Sequence, residues 1–110
     1  MAAIVGTETT EYLGREHILY QGVTDAEAGL SELQKGQIDA LVYDRPLLLW
    51  LVNRRVSGSL RVLNTTFDPQ VYVIALPQGS ELRTSIDLAL LNVTRSDWWQ
   101  GTLFAYLGEQ

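Results

Sequence analysis

The stretch Gly36-Gln37-Ile38-Asp39-Ala40-Leu41-Val42-Tyr43-Asp44-Arg45-Pro46 decides the fold. Residues 38–43 form an apolar run broken only by Asp39, the composition of a strand covered on both faces of a parallel sheet. Gly36 stands before the run where a C′ glycine ends a helix. Asp44 and Pro46 stand after it as an aspartate cap and a first-turn proline opening the next helix, which reaches about Asn53 with Leu47, Leu48, Leu51 and Val52 apolar. A helix, a buried strand and a helix in direct succession are the repeating element of an α/β domain.

Working outward, Ala26, Leu30 and Leu33 give the preceding helix an apolar stripe, and Gly29 lowers its propensity. Thr24-Asp25-Ala26-Glu27 matches the S/T-x-x-E capping box at its start. Residues 17–23 have the β-branched and aromatic content of a strand. Upstream of them, Ile4-Val5 reads as the end of a short buried strand, Gly6 as a turn, and Thr7 as the cap of a helix over residues 9–15. On the C-terminal side Gly58 closes a connection, and residues 60–63 and 71–76 read as two further strands around an Asp68-Pro69 turn. Pro77-Gln78-Gly79-Ser80 is a turn ending in a serine cap. Leu82, Ile86, Ala89, Leu90 and Val93 then recur at helical spacing as an amphipathic stripe. A last helix over residues 97–107 carries Trp98, Trp99, Leu103, Tyr106 and Leu107 before Gly108. The alternation predicts an α/β fold with a mostly parallel sheet flanked by helices.

Composition narrows the function classes. At 110 residues and 46% apolar, the chain has the size and the hydrophobic content for a single globular core. A formal charge of −5 disfavours nucleic acid and anionic membrane surfaces, which demand a positive face. The absence of cysteine excludes disulfides and thiolate metal sites. The longest apolar stretch, residues 46–52, is far short of the roughly 20 residues that span a bilayer. Met1-Ala2-Ala3 runs straight into Ile4-Val5, so the expectation is a segment of a longer protein.

Ligands of open α/β sheets bind outside the carboxyl ends of the strands, where helix N-termini offer unpaired N–H groups. Two places fit. At Gly6-Thr7-Glu8, the glycine brings backbone close and the N–H groups of Thr7 and Glu8 suit a carboxylate, although a Gly-Thr turn is also an ordinary cap. At Tyr43-Asp44, a carboxylate suits an ammonium group and a ring suits its cover, although Asp44 also serves as a helix cap. Catalytic patterns are lacking. His17 has no cysteine or nucleophile motif to join and reads as a surface residue; no GxSxG, HExxH, Walker, GxGxxG or EF-hand pattern occurs. No catalytic residue, metal ligand or cofactor is expected.

Several pieces stand together in one order. Val5-Gly6-Thr7 with Tyr12-Leu13 comes first, then residues 36–44, then Tyr72-Val73-Ile74-Ala75-Leu76-Pro77-Gln78-Gly79-Ser80-Glu81-Leu82, and then Ile86 to Leu91, Gly101-Thr102-Leu103 and Tyr106-Leu107-Gly108. Taken together they resemble the second half of type II periplasmic solute-binding proteins for polar amino acids (bacterial extracellular solute-binding protein family 3), and the related segment of ionotropic glutamate receptors. The resemblance implies lobe two at residues 1–70 and, at residues 71–110, a return segment that packs on lobe one. It implies an amino-acid ligand, glutamate- or glutamine-like, whose α-carboxylate takes the Glu8 N–H with help from Thr7. The ligand's α-ammonium meets Asp44, and Tyr43 borders its side-chain pocket. The acidic Glu8 departs from the small or hydroxylated residue common there, so its side chain must turn away from the carboxylate or alter specificity.

Two parents follow from the resemblance, a periplasmic solute-binding protein that docks on an ABC permease and a ligand-gated channel whose lobe closure pulls on transmembrane helices. Either places the chain in the periplasm or on the extracellular face of the bacterial inner membrane. A ligand-free α/β interaction domain is a third reading. The arginine and aromatic residues of lobe one have no counterpart here, so the helix stripe at residues 82–93 is expected to seek a second copy and form a homo-oligomer.

Overall fold

The computed structural model describes residues 1–55 and 59–109, so Gly58 lies outside the described residues. The chain runs β1 (Ala2–Ile4), α1 (Glu8–Arg15), β2 (Gln21–Val23), α2 (Ala26–Gln34), β3 (Leu41–Val42), α3 (Arg45–Asn53), α4 (Leu82–Thr94) and α5 (Asp97–Leu107). It is an α/β protein with a three-stranded parallel sheet in the order β2-β1-β3. Ala2 stands level with Gln21 on one side and Leu41 on the other. Two compact units divide the chain, Met1–Asp68 and Pro69–Gln110.

In unit 1, β1 is the central strand. The β1-α1-β2 connection steps one way across the sheet, and the β2-α2-β3 connection steps back over β1, so right-handed crossovers put α1 and α2 on opposite faces. The helix α1 packs on β1, and α2 packs on all three strands. Covered from both sides, Ala2 and Ala3 have no exposed surface, and Ile4 is buried. Ala2 and Ile4 join Val23 and Ile38 in a cluster that Ala26, Leu33, Leu41 and Tyr43 pack against.

The sequence expectation of a doubly buried strand at residues 38–43 is therefore corrected. Only Leu41 and Val42 form a ladder, at a sheet edge and half-buried, and the doubly buried strand is β1. Gly29 has a packing reason. A Cβ there would meet Leu41 Cδ1 at 2.8 Å and Val23 Cγ2 at 3.3 Å, so the missing side chain lets α2 lie close on the sheet.

Helix ends follow local chemistry. Both α1 and α2 finish in Schellman motifs. Ile18 N–H donates to Leu13 and His17 N–H to Gly14, and in the same pattern Gln37 N–H donates to Glu32 and Gly36 N–H to Leu33. Gly36 takes the left-handed conformation at φ +74°, and in α1 that place falls to His17 at φ +55°. His17 thus belongs to a helix end, which delays the strand expected from residue 17 until Gln21. The cap of α2 is Asp25 and not Thr24, since Ala28 N–H donates to Asp25 Oδ1 at 2.8 Å. Arg55 ties the far end of α3 to α2, reaching Glu27 Oε2 at 2.7 Å and also Gln34.

The strands expected at residues 60–63 and 71–76 are not present as ladders among the described residues. Apolar β-branched composition makes a segment fit for a sheet, but a strand exists only with a neighbour to hydrogen-bond, and Val71 and Val73 lie 85% and 83% exposed. In unit 2, Gly79 at φ +79° with Ser80 N–H on the Pro77 carbonyl makes a tight turn, and Ser80 Oγ accepts from Leu82 N–H at 3.2 Å. Ser96 caps α5 through Trp99 N–H. The helix α4 buries none of its residues. Leu88 and Leu91 lie exposed outside the stripe of Leu82, Ile86, Ala89, Leu90 and Val93, so α4 is more apolar around its circumference than an amphipathic stripe implies.

Two substitutions test this packing. Leu30→Ala, removing a side chain only 2% exposed, is expected to lower the stability of unit 1 by about 2–4 kcal/mol. Gly29→Val is expected to lower it by about 1–3 kcal/mol by pressing on Leu41 and Val23. Urea unfolding followed by Trp50 fluorescence reads both; an unchanged midpoint for Gly29→Val would show that α2 does not need to lie so close.

Candidate functional site

The sequence expectations concern two loops, and the sheet brings them to one edge. Gly6, Thr7 and Glu8 leave the carboxyl end of β1, and Tyr43 and Asp44 leave the carboxyl end of β3. These strands are parallel neighbours, so both loops emerge on the same side of the sheet. The carboxyl ends of strands are where open α/β sheets take their ligands.

At the β1 loop, Gly6 holds φ +74°, with open space where a side chain would be, so backbone conformation and not crowding calls for glycine. Thr7 caps α1 in an extended conformation. Its hydroxyl donates to the Ile4 carbonyl at 2.7 Å, and its N–H donates to Thr10 Oγ1 at 3.2 Å. The Thr10 hydroxyl in turn donates to the Thr7 carbonyl at 2.8 Å. Both donors of Thr7 are therefore engaged within the chain. The donors that the helix itself cannot satisfy are the first-turn N–H groups, beginning with Glu8 and Thr9. The Glu8 side chain is exposed and lies 3.9 Å from Arg15 Nη1, two turns down the helix, which draws the carboxylate along the outside of α1.

Asp44 and Tyr43 are both half-buried. The Tyr43 ring packs against the cluster of Ala2, Ile4, Val23 and Ile38, so it is anchored in the core as well as standing at the loop. Asp44 occupies the cap position of α3 and its carbonyl accepts from Leu48 N–H at 3.0 Å, but its carboxylate makes no hydrogen bond to the first turn. The capping role that sequence allowed the side chain is not the one it plays. Beside it, Arg45 donates to Asn64 Oδ1 at 3.0 Å, fixing the start of α3 to the segment that follows it.

Sequence reasoning passed over Thr9 and Thr10. Thr10, a buried polar residue, fixes the conformation of Thr7. The signal for it was the Thr7-x-x-Thr10 spacing, a capping arrangement with threonine in place of the usual Glu or Gln. Among the described residues no group of three His, Asp or Glu could hold a metal ion, and no helix is long and apolar enough to cross a membrane.

No family model matches the sequence, and no solved structure matches it. Similarity is found to three curated proteins, each named "Glutamate receptor ionotropic, NMDA 2D", from Mus musculus, Rattus norvegicus and Homo sapiens. Each is 33% identical over 73 residues, 64% of this chain, and the aligned part is 6% of the receptor's length. The chain is thus distantly similar to a short part of an ionotropic glutamate receptor.

Proposed function

We propose that this chain is one lobe of an extracytoplasmic amino-acid receptor, the second ligand-binding segment of a glutamate-receptor-like protein, and that it binds and does not catalyse. The observation that carries this reading is the placement of Gly6-Thr7-Glu8 and Tyr43-Asp44 on one sheet edge, at the carboxyl ends of neighbouring parallel strands. One loop offers helix N–H groups and the positive end of a helix dipole, and the other offers a carboxylate. An α-amino acid carries the complementary pair, a carboxylate and an ammonium on one carbon. Glu8 and Thr9 N–H take the carboxylate and Asp44 takes the ammonium by charge-assisted hydrogen bonds, with Tyr43 beside them. The distant similarity to a glutamate receptor supports the channel segment over the solute-binding protein of an ABC transporter.

In the intact parent, Asp44→Ala is expected to weaken amino-acid binding by about 2–5 kcal/mol, the usual cost of removing one member of a buried charge pair. Calorimetry with L-glutamate measures it, and an unchanged dissociation constant would remove Asp44 from the site. Alone, the 110-residue chain is expected to bind free amino acids far more weakly than its parent, because one wall cannot exclude water. Saturation at micromolar glutamate in a chemical-shift titration would show that this chain holds a complete site.

The same reading assigns α4 and α5 to a surface that lobe one covers. Without that cover, apolar residues on several sides of α4 and the exposed Trp98, Phe104 and Tyr106 of α5 favour association with a second copy. Sedimentation at micromolar concentration is expected to show a dimer or larger species, and Leu82→Glu with Ile86→Glu to shift it toward monomer. A strictly monomeric wild-type chain would overturn this assignment.

A further inference from the structure

The aromatic and charged groups around α1 point to a link between the candidate site and the exit from unit 1. The ring of Tyr12 stacks on Phe67 with centroids 5.0 Å apart and planes tilted by 33°. Three residues further along α1, Arg15 Nη2 lies 4.0 Å from Asp68 Oδ2, with its guanidinium 6.0 Å from the Tyr12 ring centroid. Asp68 is the last residue of unit 1, and it holds φ +50°, a conformation in which aspartate is tolerated and most residues are strained. The side chains of α1 at positions 12 and 15 thus hold Phe67 and Asp68, fifty-five and fifty-three positions later in sequence, in the strap by which the chain leaves unit 1.

We infer that Tyr12 and Arg15 are positioning residues that clamp Phe67 and Asp68 onto α1, so that the helix presenting the Glu8 and Thr9 N–H groups moves as one body with the strap leaving unit 1. The aromatic stack carries most of the clamp. Arg15 and its partners are substantially exposed, at 58% for Arg15 and 34% for Asp68, and exposed ion pairs contribute little once solvated. In consequence a ligand at the N-terminus of α1 acts at one end of a helix whose other end holds the route to unit 2. That consequence rests on the amino-acid reading; the clamp itself does not.

The test is backbone 15N relaxation on the whole chain, comparing wild type with Phe67→Ala, Phe67→Tyr and Asp68→Asn. Phe67→Ala is expected to lower the amide order parameters of Asp68 and Gln70 and, together with them, of the last turn of α1, while those of β1 stay unchanged. Phe67→Tyr restores both regions, and Asp68→Asn gives a smaller change of the same pattern. A loss of order in the strap alone, with α1 unaffected, overturns the clamp. If Phe67→Ala fails to fold, the half-exposed Asp68→Asn decides by the same comparison. Addition of millimolar L-glutamate separates the two readings. Shifts at the Glu8 and Thr9 amides that extend to Asp68 in wild type and stop short of it in Phe67→Ala support both. Shifts confined to Glu8 and Thr9 in wild type overturn the clamp and leave the amino-acid reading standing. No shift at any amide, alongside a linked loss of order, supports the clamp and counts against amino-acid binding by this chain.

Discussion

Everything in unit 1 depends on three residues, Ala2, Ala3 and Ile4, being paired on both sides and covered on both faces. A parallel pair cannot be closed by a tight turn, so each neighbour of β1 needs a helix to return the chain. The order β2-β1-β3 then requires the second helix to pass over β1 after the first has left it on the other face. Small side chains at the centre follow from that, since helices approach from above and below. Ala2, Ala3 and the missing side chain of Gly29 are three expressions of one spacing. The same topology brings the ends of β1 and β3 side by side, so the candidate site is a by-product of how the sheet is connected.

Much of this was legible because it is local. The stripe of Ala26, Leu30 and Leu33, the left-handed glycine at Gly36 and the proline of α3 each depend on a few neighbouring residues, and each stands where the sequence puts it. What failed was pairing. Residues 38–43 and 71–76 look alike in composition, yet the first contributes two ladder residues at a sheet edge and the second none among the described residues. Hydrogen-bond partners lie far away in sequence, and composition cannot name them. His17 failed for a different reason. A left-handed residue ending a helix is expected to be glycine or asparagine, and a histidine there hides the signal. At the site, the positions of Gly6, Thr7, Glu8, Tyr43 and Asp44 were legible as strand ends; the engagement of both Thr7 donors was not, because it depends on the orientation of one hydroxyl.

Unit 2 poses the opposite problem from unit 1. Its helices are well specified at their ends by Ser80 and Ser96, but their faces are apolar without being buried. Leu82, Leu88, Leu90, Leu91 and Val93 all stand 41% exposed or more. A helix apolar on several sides is ordinarily an interior helix, and a surface of this size seldom remains in water. Val71, Tyr72, Val73 and Ile74 are exposed as well. Local sequence therefore specifies the ends of these helices, while their apolar faces bury little within the unit.

Polar groups exposed at a sheet edge bind little by themselves. Two unit charges about 4 Å apart attract by roughly 1 kcal/mol in water and by several times that where water is excluded. Gly6 and Glu8 are exposed, so a carboxylate reaching the first turn of α1 would trade solvent hydrogen bonds for similar protein ones. Asp44 is half-buried, which raises the worth of its charge only in part. The exposed Glu8 carboxylate at the first position of α1 opposes a second anion there, and its approach to Arg15 removes some of that opposition by drawing it down the helix. On the proposed reading, a second surface that removes the water would be needed to turn such an arrangement into a receptor. Such a cover would also raise the cost of any mismatch in charge at Glu8 and Asp44, so on that reading affinity and selectivity would arise together.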